Sequence, residues 1–120
     1  MLTLFAKLWK NFLHSLAGLR ATLKRDLTFR LELLAVLCFT PIPFLINELS
    51  TIQKSLMVAT LLLPMSIELL NSALEELCNV ITKEFHKDIK FIKDAASASV
   101  LIAVIIMLVT WGLNLLPVLF

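Results

Sequence analysis

The sequence has 120 residues, of which 59% are hydrophobic and 17% charged, and its mean hydropathy is +0.92. The surface of a soluble domain is about a quarter or more charged, so this composition excludes a soluble enzyme and indicates a small integral-membrane protein. The length allows a few spanning helices of about 20 residues each, which predicts one compact membrane domain over residues 1–120.

Residues 1–25 have the pattern of an amphipathic helix. Polar residues recur at spacings of three and four, while large apolar side chains such as Phe5, Trp9 and Phe12 fill the opposite side. Lys7 and Lys10 interrupt any apolar core long enough for a signal sequence. We therefore predict a helix that lies on the membrane surface.

Three apolar segments predict transmembrane helices over residues 31–49, 55–78 and 95–116. Pro41 and Pro43 fall within the first segment, where each removes a backbone donor and should kink the helix or end it early. The third segment opens with small residues from Ala95 to Ser99, which predict a close helix-packing face. Trp111 near its far end fits an interfacial anchor.

The basic residues are distributed asymmetrically. All Lys and Arg residues except Lys54 lie on the side shared by the N-terminus and a predicted charged loop that runs from Asn79 to Asp94. Because basic residues accumulate on the cytoplasmic side of membrane proteins, we expect the N-terminus and this loop to be cytoplasmic.

The second predicted span carries an acidic stripe. Glu68, Asn71 and Glu75 are spaced i, i+3 and i+7, so they fall within about 60° of one another on a helix. A carboxylate near the bilayer centre costs about 2.5 to 3.5 kcal/mol, so this stripe calls for a functional explanation. Glu68 should lie about 10 Å deeper than Glu75, where it could contact both a lipid head region and a water-soluble cosubstrate.

Several kinds of chemistry are disfavoured. Cys38 and Cys78 are predicted near opposite membrane faces, which argues against a disulfide or a thiolate metal site. His14 and His86 have no second ligand at metal spacing, which argues against zinc. The chain has 2 glycines, too few for a glycine-rich phosphate loop. Its basic residues are mixed with acidic ones, which favours anionic lipid or nucleotide phosphate over nucleic acid as a partner.

Polar residues predicted on the cytoplasmic side form a candidate site. They are Asp26, Glu32, Glu68, Asn71, Glu75 and Glu76, with Lys93 and Asp94 at the start of the third span. Carboxylates suit Mg²⁺, and a deep carboxylate could take a proton from a hydroxyl. Phosphoryl transfer depends on positioning and charge neutralisation, so a few carboxylates, one Mg²⁺ and a lysine could suffice. Simple solvation at helix ends is the alternative interpretation of Glu32, Glu76 and Asp88.

Several ordered blocks between about residues 15 and 111 resemble the small bacterial integral-membrane diacylglycerol kinases. The blocks are Gly18–Ala21, Phe29–Arg30 with Glu32, Glu68–Ala73 with Glu75, Glu84–His86, and Lys93–Asp94 followed by Ser97 and Val100–Ala103. The element Glu-x-x-Asn-[Ser/Thr]-Ala-x-Glu is the most specific of them.

This resemblance implies an all-α homotrimer in the bacterial inner membrane. Each subunit would have an N-terminal amphipathic surface helix and three transmembrane helices, and active sites would be shared between neighbouring subunits. The implied reaction transfers the γ-phosphate of ATP to the primary hydroxyl of diacylglycerol, giving phosphatidic acid, with Mg²⁺ as cofactor.

The resemblance also implies roles for individual residues. Glu68 would be the general base, Asn71 would orient the reacting groups, and Asp26 and Glu75 would hold Mg²⁺. The residues implied to contact ATP are Lys7, His14, Asp26, Glu75, Glu84, His86, Lys93 and Asp94. The residues implied near the lipid substrate are Ser15, Arg20, Glu32, Glu68 and Ser97.

Four positions depart from the residues common in that family. Asp26 stands where Glu is usual, which shortens the side chain by one methylene. Lys7 stands in place of Arg and lacks its bidentate fork. His14 replaces a Tyr and Asn79 replaces an Asp.

Three alternative functions remain open. Undecaprenol kinases resemble this chain through the same Glu-Asn-Glu and Lys-Asp elements, although the context of Phe29–Glu32 and Ser97 favours the diacylglycerol branch. A small proton-coupled transporter could use Glu68 as its carrier, but this leaves the charged segment 83–94 unexplained. In a noncatalytic membrane adaptor, the acidic stripe would serve helix association.

Overall fold

The computed structural model describes all residues from Met1 to Phe120 and contains helices but no strand. The helices are α1 (Leu2–Arg25), α2 (Leu27–Phe39), α3 (Ile42–Leu45), α4 (Thr51–Ile81) and α5 (Lys87–Leu119). The segments long and apolar enough to cross a membrane are Leu27–Leu45, which combines α2 and α3, Thr51–Ile81 and Lys87–Leu119. The prediction of an all-α membrane protein with three spanning helices is confirmed.

Side-chain caps start α2 and α4 earlier than the hydrophobic pattern predicts. The backbone N–H of Phe29 donates to Asp26 Oδ1 at 3.2 Å, so α2 begins before residue 31. Ser50 and Gln53 form a reciprocal capping box, so α4 begins before residue 55. Each cap satisfies backbone donors that a helix start leaves unpaired.

The prediction of a charged loop up to residue 94 is wrong over its second half, because α5 begins at Lys87. The N–H of Asp88 donates to His86 Nδ1 at 3.2 Å and caps the first turn. Lys90 and Asp94 then form an i, i+4 ion pair, which favours a helix. The charged residues therefore continue directly into the apolar part of α5.

The prolines act differently in the first two spans. α2 ends at Phe39, and the chain continues from Pro41 into the single turn of α3. Pro64 lies inside α4 without ending it. Since proline has no N–H, the carbonyl of Thr60 loses its usual helical donor at that point.

α4 is the central helix, and α1, α2, α3 and α5 all pack against it. On α5, Ala96 and Ala103 are buried, so small side chains separated by two turns let the two long helices approach closely. Of the predicted packing run Ala95–Ser99, only Ala96 is buried. Many large apolar side chains are exposed, as expected for helices that face lipid.

The two ends of this helix bundle differ in the polarity of their residues. The polar end comprises residues 18–32 and 68–97, where α1, the start of α2, the end of α4 and the start of α5 meet. Asp26 is the single residue between α1 and α2, and its backbone is extended, with φ −112° and ψ 113°. The far end comprises residues 36–61 and 103–120. There the indole N–H of Trp111 donates to the carbonyl of Met57 at 3.0 Å.

Candidate active site

A cavity of about 930 Å³ lies at the polar end, between α1, α2, α4 and α5. Its polar wall includes Asp26, Glu68, Asn71, Ser72, Glu75, Glu76, Asn79 and Ser97. Its apolar wall includes Leu27, Leu69, Val100, Leu101 and Val104. The cavity therefore offers carboxylates and aliphatic surface side by side, an arrangement that suits an amphiphilic ligand.

Glu68 and Asn71 form a buried pair in the wall of the cavity. The two residues are 6% and 8% exposed, and Asn71 Nδ2 donates to Glu68 Oε2 at 3.4 Å. This bond orients the carboxylate and leaves Glu68 Oε1 without a protein donor. Asn71 Oδ1 is buried with no hydrogen-bond partner. An unpaired buried acceptor costs about 1 to 3 kcal/mol, so the pair carries unused hydrogen-bonding capacity at the site.

Asp26 is held by hydrogen bonds to both of its carboxylate oxygens. Oδ1 accepts the N–H of Phe29, and Oδ2 accepts the hydroxyl of Ser72 on α4. Burial raises the pKa of Asp26, but the bond from Ser72, the backbone bonds and the charge of Arg30 outweigh burial, so the pKa lies below its ordinary value. Asp26 therefore remains a carboxylate at neutral pH while joining α2 to α4.

The predicted stripe continues past Glu75 to Asn79 at the polar end. Glu75 is exposed and lines the cavity about 10 Å along α4 from Glu68. Asn79 also lines the cavity, and its Oδ1 accepts a hydrogen bond from Lys93 Nζ at 2.9 Å. A cationic side chain is thereby held at the edge of an acidic cavity.

The structure brings part of the predicted site together. The predicted residues that line the cavity are Asp26, Glu68, Asn71, Glu75, Glu76 and Ser97. Those outside its wall are Lys7, His14, Ser15, Arg20, Glu32, Glu84, His86, Lys93 and Asp94.

The predicted residues outside the wall occupy three places. Lys7, His14 and Ser15 lie on the exposed part of α1, while Arg20 lines a second cavity of about 510 Å³. Glu32 is half-buried on α2, and its Oε2 has no hydrogen-bond partner.

The remaining four are grouped around the connection between α4 and α5. His86 caps α5, Asp94 is paired with Lys90, and Lys93 reaches the cavity edge through Asn79. Glu84 lies in the connection, where its backbone N–H donates to Thr82 Oγ1 at 3.1 Å.

Two residues of the site were not predicted as site residues, Ser72 and Asn79. Asn79 follows Glu68 by eleven positions, which places it within about 20° of Glu68 on a helix, so the periodicity contained a signal for it. Ser72 follows Asn71 directly and lies off the centre of the stripe. Only the packing of α2 against α4 shows that it contacts Asp26.

The protonatable and metal-binding groups of one chain remain dispersed. No three His, Cys, Asp or Glu side chains converge closely enough to bind a metal ion by themselves. The carboxylates of Asp26 and Glu75 nevertheless line one cavity. Mg²⁺ keeps several waters and binds through one or two carboxylates plus substrate phosphates, so this donor set fits a metal that arrives with a nucleotide.

Comparison with known proteins identifies the family. The family model described as prokaryotic diacylglycerol kinase matches residues 13–115. The chain belongs to the prokaryotic diacylglycerol kinase family. The predicted family and enzyme class are therefore confirmed, and the chain is a multi-pass bacterial membrane protein of a kinase family.

The curated relatives match this chain over most of their length. The diacylglycerol kinase of Haemophilus influenzae is 38% identical over 99 residues, covering 82% of this chain and 83% of the relative. The diacylglycerol kinase of Escherichia coli K12 is 36% identical over 107 residues, covering 89% and 87%. That of Helicobacter pylori 26695 is 31% identical over 113 residues, covering 93% and 87%.

Proposed function

We propose that this family member transfers the γ-phosphate of ATP to the primary hydroxyl of diacylglycerol, giving phosphatidic acid. The observation that carries the proposal is the buried Glu68–Asn71 pair in a cavity with one polar and one apolar wall. A diacylglycerol presents a hydroxyl on an aliphatic body, so it matches both walls. The names of the relatives support the same substrate.

Glu68 acts as general base in this proposal. Asn71 engages Oε2, which leaves Oε1 to accept the proton of the lipid hydroxyl. The hydroxyl oxygen forms a bond to the γ-phosphorus while the bond between that phosphorus and the ADP oxygen breaks. Asn71 orients the reacting groups. Its Oδ1 accepts no hydrogen bond within the protein, so it can accept one from a bound substrate.

Asp26 and Glu75 hold Mg²⁺ in this proposal. The low pKa of Asp26 keeps an anionic ligand available at neutral pH, and the bond from Ser72 fixes its carboxylate beside the cavity. When bound, Mg²⁺ supplies neutralisation of phosphate charge. The bonds from Phe29 and Ser72 orient both carboxylate oxygens of Asp26 beside the cavity.

The nucleotide is contacted from the α4–α5 connection and from α1. Lys93, Asp94, Glu84 and His86 provide the first group, and Lys7 and His14 provide the second. Lys7 and His14 are exposed on α1 in a single chain. A homotrimer with shared active sites would let α1, lying on the membrane surface, reach a cavity that its own chain does not complete.

The lipid substrate is contacted by Ser15, Arg20, Glu32 and Ser97. Of these, Ser97 lines the cavity beside Val100 and Leu101, the apolar part of the wall. The N-terminus and the α4–α5 connection face the cytoplasm of the bacterial inner membrane, which is where ATP is present. The distribution of Lys and Arg supports this orientation.

The test uses purified protein in detergent or lipid with γ-labelled ATP. We expect labelled phosphatidic acid from diacylglycerol, and no product when EDTA removes Mg²⁺. Undecaprenol assayed side by side decides between the two lipid alcohols. Preferential labelling of undecaprenol would replace the proposed substrate, and proton flux without ATP consumption would favour the transporter.

A further inference from the structure

Lys93 and Asn79 connect α5 to α4 at the edge of the cavity. The ammonium group of Lys93 donates to the amide oxygen of Asn79 at 2.9 Å, the only hydrogen bond between side chains of these two helices. Lys93 is half-buried, whereas the neighbouring Lys87 and Lys90 are exposed. The Lys93 side chain is therefore held in one direction, toward the residue that lines the cavity.

This contact leaves the charge and most of the donors of Lys93 available. An ammonium group has three N–H donors, of which the amide oxygen takes one. Asn79 is neutral and Asp94 is paired with Lys90, so no carboxylate is paired with Lys93. Two N–H groups of a fixed cation therefore remain for an anionic ligand at the cavity edge.

Fixing a lysine before its ligand arrives should increase affinity. A free lysine loses rotamer freedom when it binds a phosphate, which opposes binding. When an amide on a neighbouring helix already restrains the side chain, part of this entropy loss has occurred during folding. The expected effect is on nucleotide binding, because Asn79 lies about 16 Å along α4 from Glu68.

We propose that Asn79 is a positioning residue for the nucleotide, because its amide oxygen holds Lys93 Nζ where the two remaining N–H groups reach phosphate oxygens. The inference rests on the proposed function, which assigns Lys93 to ATP. Asn79 acts through Lys93 and takes no part in proton transfer. Its contribution is therefore to the KM for MgATP and to the Kd of the nucleotide, while kcat stays nearly constant.

The experiment compares variants that remove or keep the acceptor. Asn79→Leu has a similar volume and no acceptor, and we expect it to raise both the KM for MgATP and the Kd of a nonhydrolysable ATP analogue about five- to tenfold. The Kd is measured without lipid, so it does not depend on turnover. Asn79→Gln retains a neutral amide acceptor and should recover part of the lost affinity.

A double-mutant cycle separates positioning from a general structural effect. In a Lys93→Met background, Asn79→Leu should cause no further loss of nucleotide affinity, because the side chain it positions is absent. Asn114→Leu is the matched control, since the Asn114 side chain donates to the carbonyl of Thr110 within α5 at the far end. It should leave nucleotide affinity unchanged.

Two results would overturn the inference. One is wild-type nucleotide affinity in Asn79→Leu, and the other is an equal loss of affinity with and without Lys93. Asn79→Ala provides the same readout if the leucine variant does not fold. Failure of the proposed function is distinguishable, because the wild-type protein itself would then phosphorylate no lipid.

Discussion

The two ends of the α4–α5 pair are held together in similar ways but differ in how well their polar groups are satisfied. At the far end, Trp111 donates to the carbonyl of Met57, and its ring contacts Phe39 edge-on with centroids 6.0 Å apart. At the polar end, Lys93 donates to Asn79, yet acceptors of Glu32 and Asn71 remain buried without partners.

This difference indicates that the two ends serve different purposes. Unpaired buried acceptors reduce stability, and local departures from polar satisfaction are expected at functional sites. Substitutions at the polar end should therefore affect catalysis more than stability, and substitutions at the far end should do the reverse. Four predictions test this contrast, from the largest expected effect to the smallest.

Replacing the proposed base should have the largest effect. Glu68→Gln keeps the side-chain shape but cannot accept the hydroxyl proton, so we expect turnover to fall at least about a hundredfold. The thermal midpoint should be unchanged or higher, because a neutral amide replaces a buried carboxylate. Labelled-ATP turnover and thermal unfolding measure the two effects.

The control for this substitution is Glu48→Gln, since Glu48 is exposed in the turn before α4. It should retain normal turnover. Near-normal turnover in Glu68→Gln would remove Glu68 from the role of base.

Replacing the proposed metal ligand should have an intermediate effect. Asn is as good an N-cap as Asp, so Asp26→Asn should preserve α2 while weakening Mg²⁺ binding. We expect the Mg²⁺ concentration for half-maximal activity to rise at least about tenfold. An unchanged Mg²⁺ titration would show that Asp26 serves only the helix cap and the contact with Ser72.

Removing the donor at the far end should change stability alone. Trp111→Phe deletes the N–H that bonds Met57, and we expect a loss of about 1 kcal/mol in the free energy of unfolding with normal turnover. Denaturant unfolding in mixed micelles measures the loss. Trp9→Phe, on the exposed part of α1, is the matched control and should be neutral. A reduced kcat in Trp111→Phe without destabilisation would contradict the contrast between the ends.

The smallest expected effect is on the stability of the protein at low pH. The pKa of Asp26 in the folded protein lies below its ordinary value of 3.8. The stability that its carboxylate contributes is therefore fully present above about pH 4 and is lost as the pH falls through the folded pKa. Asp26→Asn should lack this component of the acid-dependent loss, as measured by thermal unfolding between about pH 3 and 5. Identical acid profiles for both proteins would contradict the assignment.

The sequence predicted the parts of this molecule that depend on one helix at a time. Helix geometry fixes the angles between Glu68, Asn71 and Glu75, so their common face followed from spacing alone. The three spans followed from hydropathy, although α5 starts at Lys87 because a cap and an ion pair extend the helix into a charged segment.

Contacts between helices could not be predicted in the same way. The bonds from Ser72 to Asp26 and from Lys93 to Asn79 depend on how α2 and α5 are placed along α4. A shift of one residue along either helix would change these partners, and hydropathy does not determine such a shift. Spacing alone therefore predicted the stripe on α4, whereas the roles of Asp26 and Ser97 were predicted only through the family resemblance and Ser72 was not predicted.

The single-residue junction at Asp26 has a practical consequence for engineering this protein. The 24-residue helix α1 ends at that junction, so a tag fused to the N-terminus lies about 36 Å from it along the helix. An inserted residue at the junction would instead change the direction in which α1 leaves the first span, because Asp26 alone joins the two helices. Labels are therefore best attached at Met1, and the spacing between α1 and α2 is best left intact.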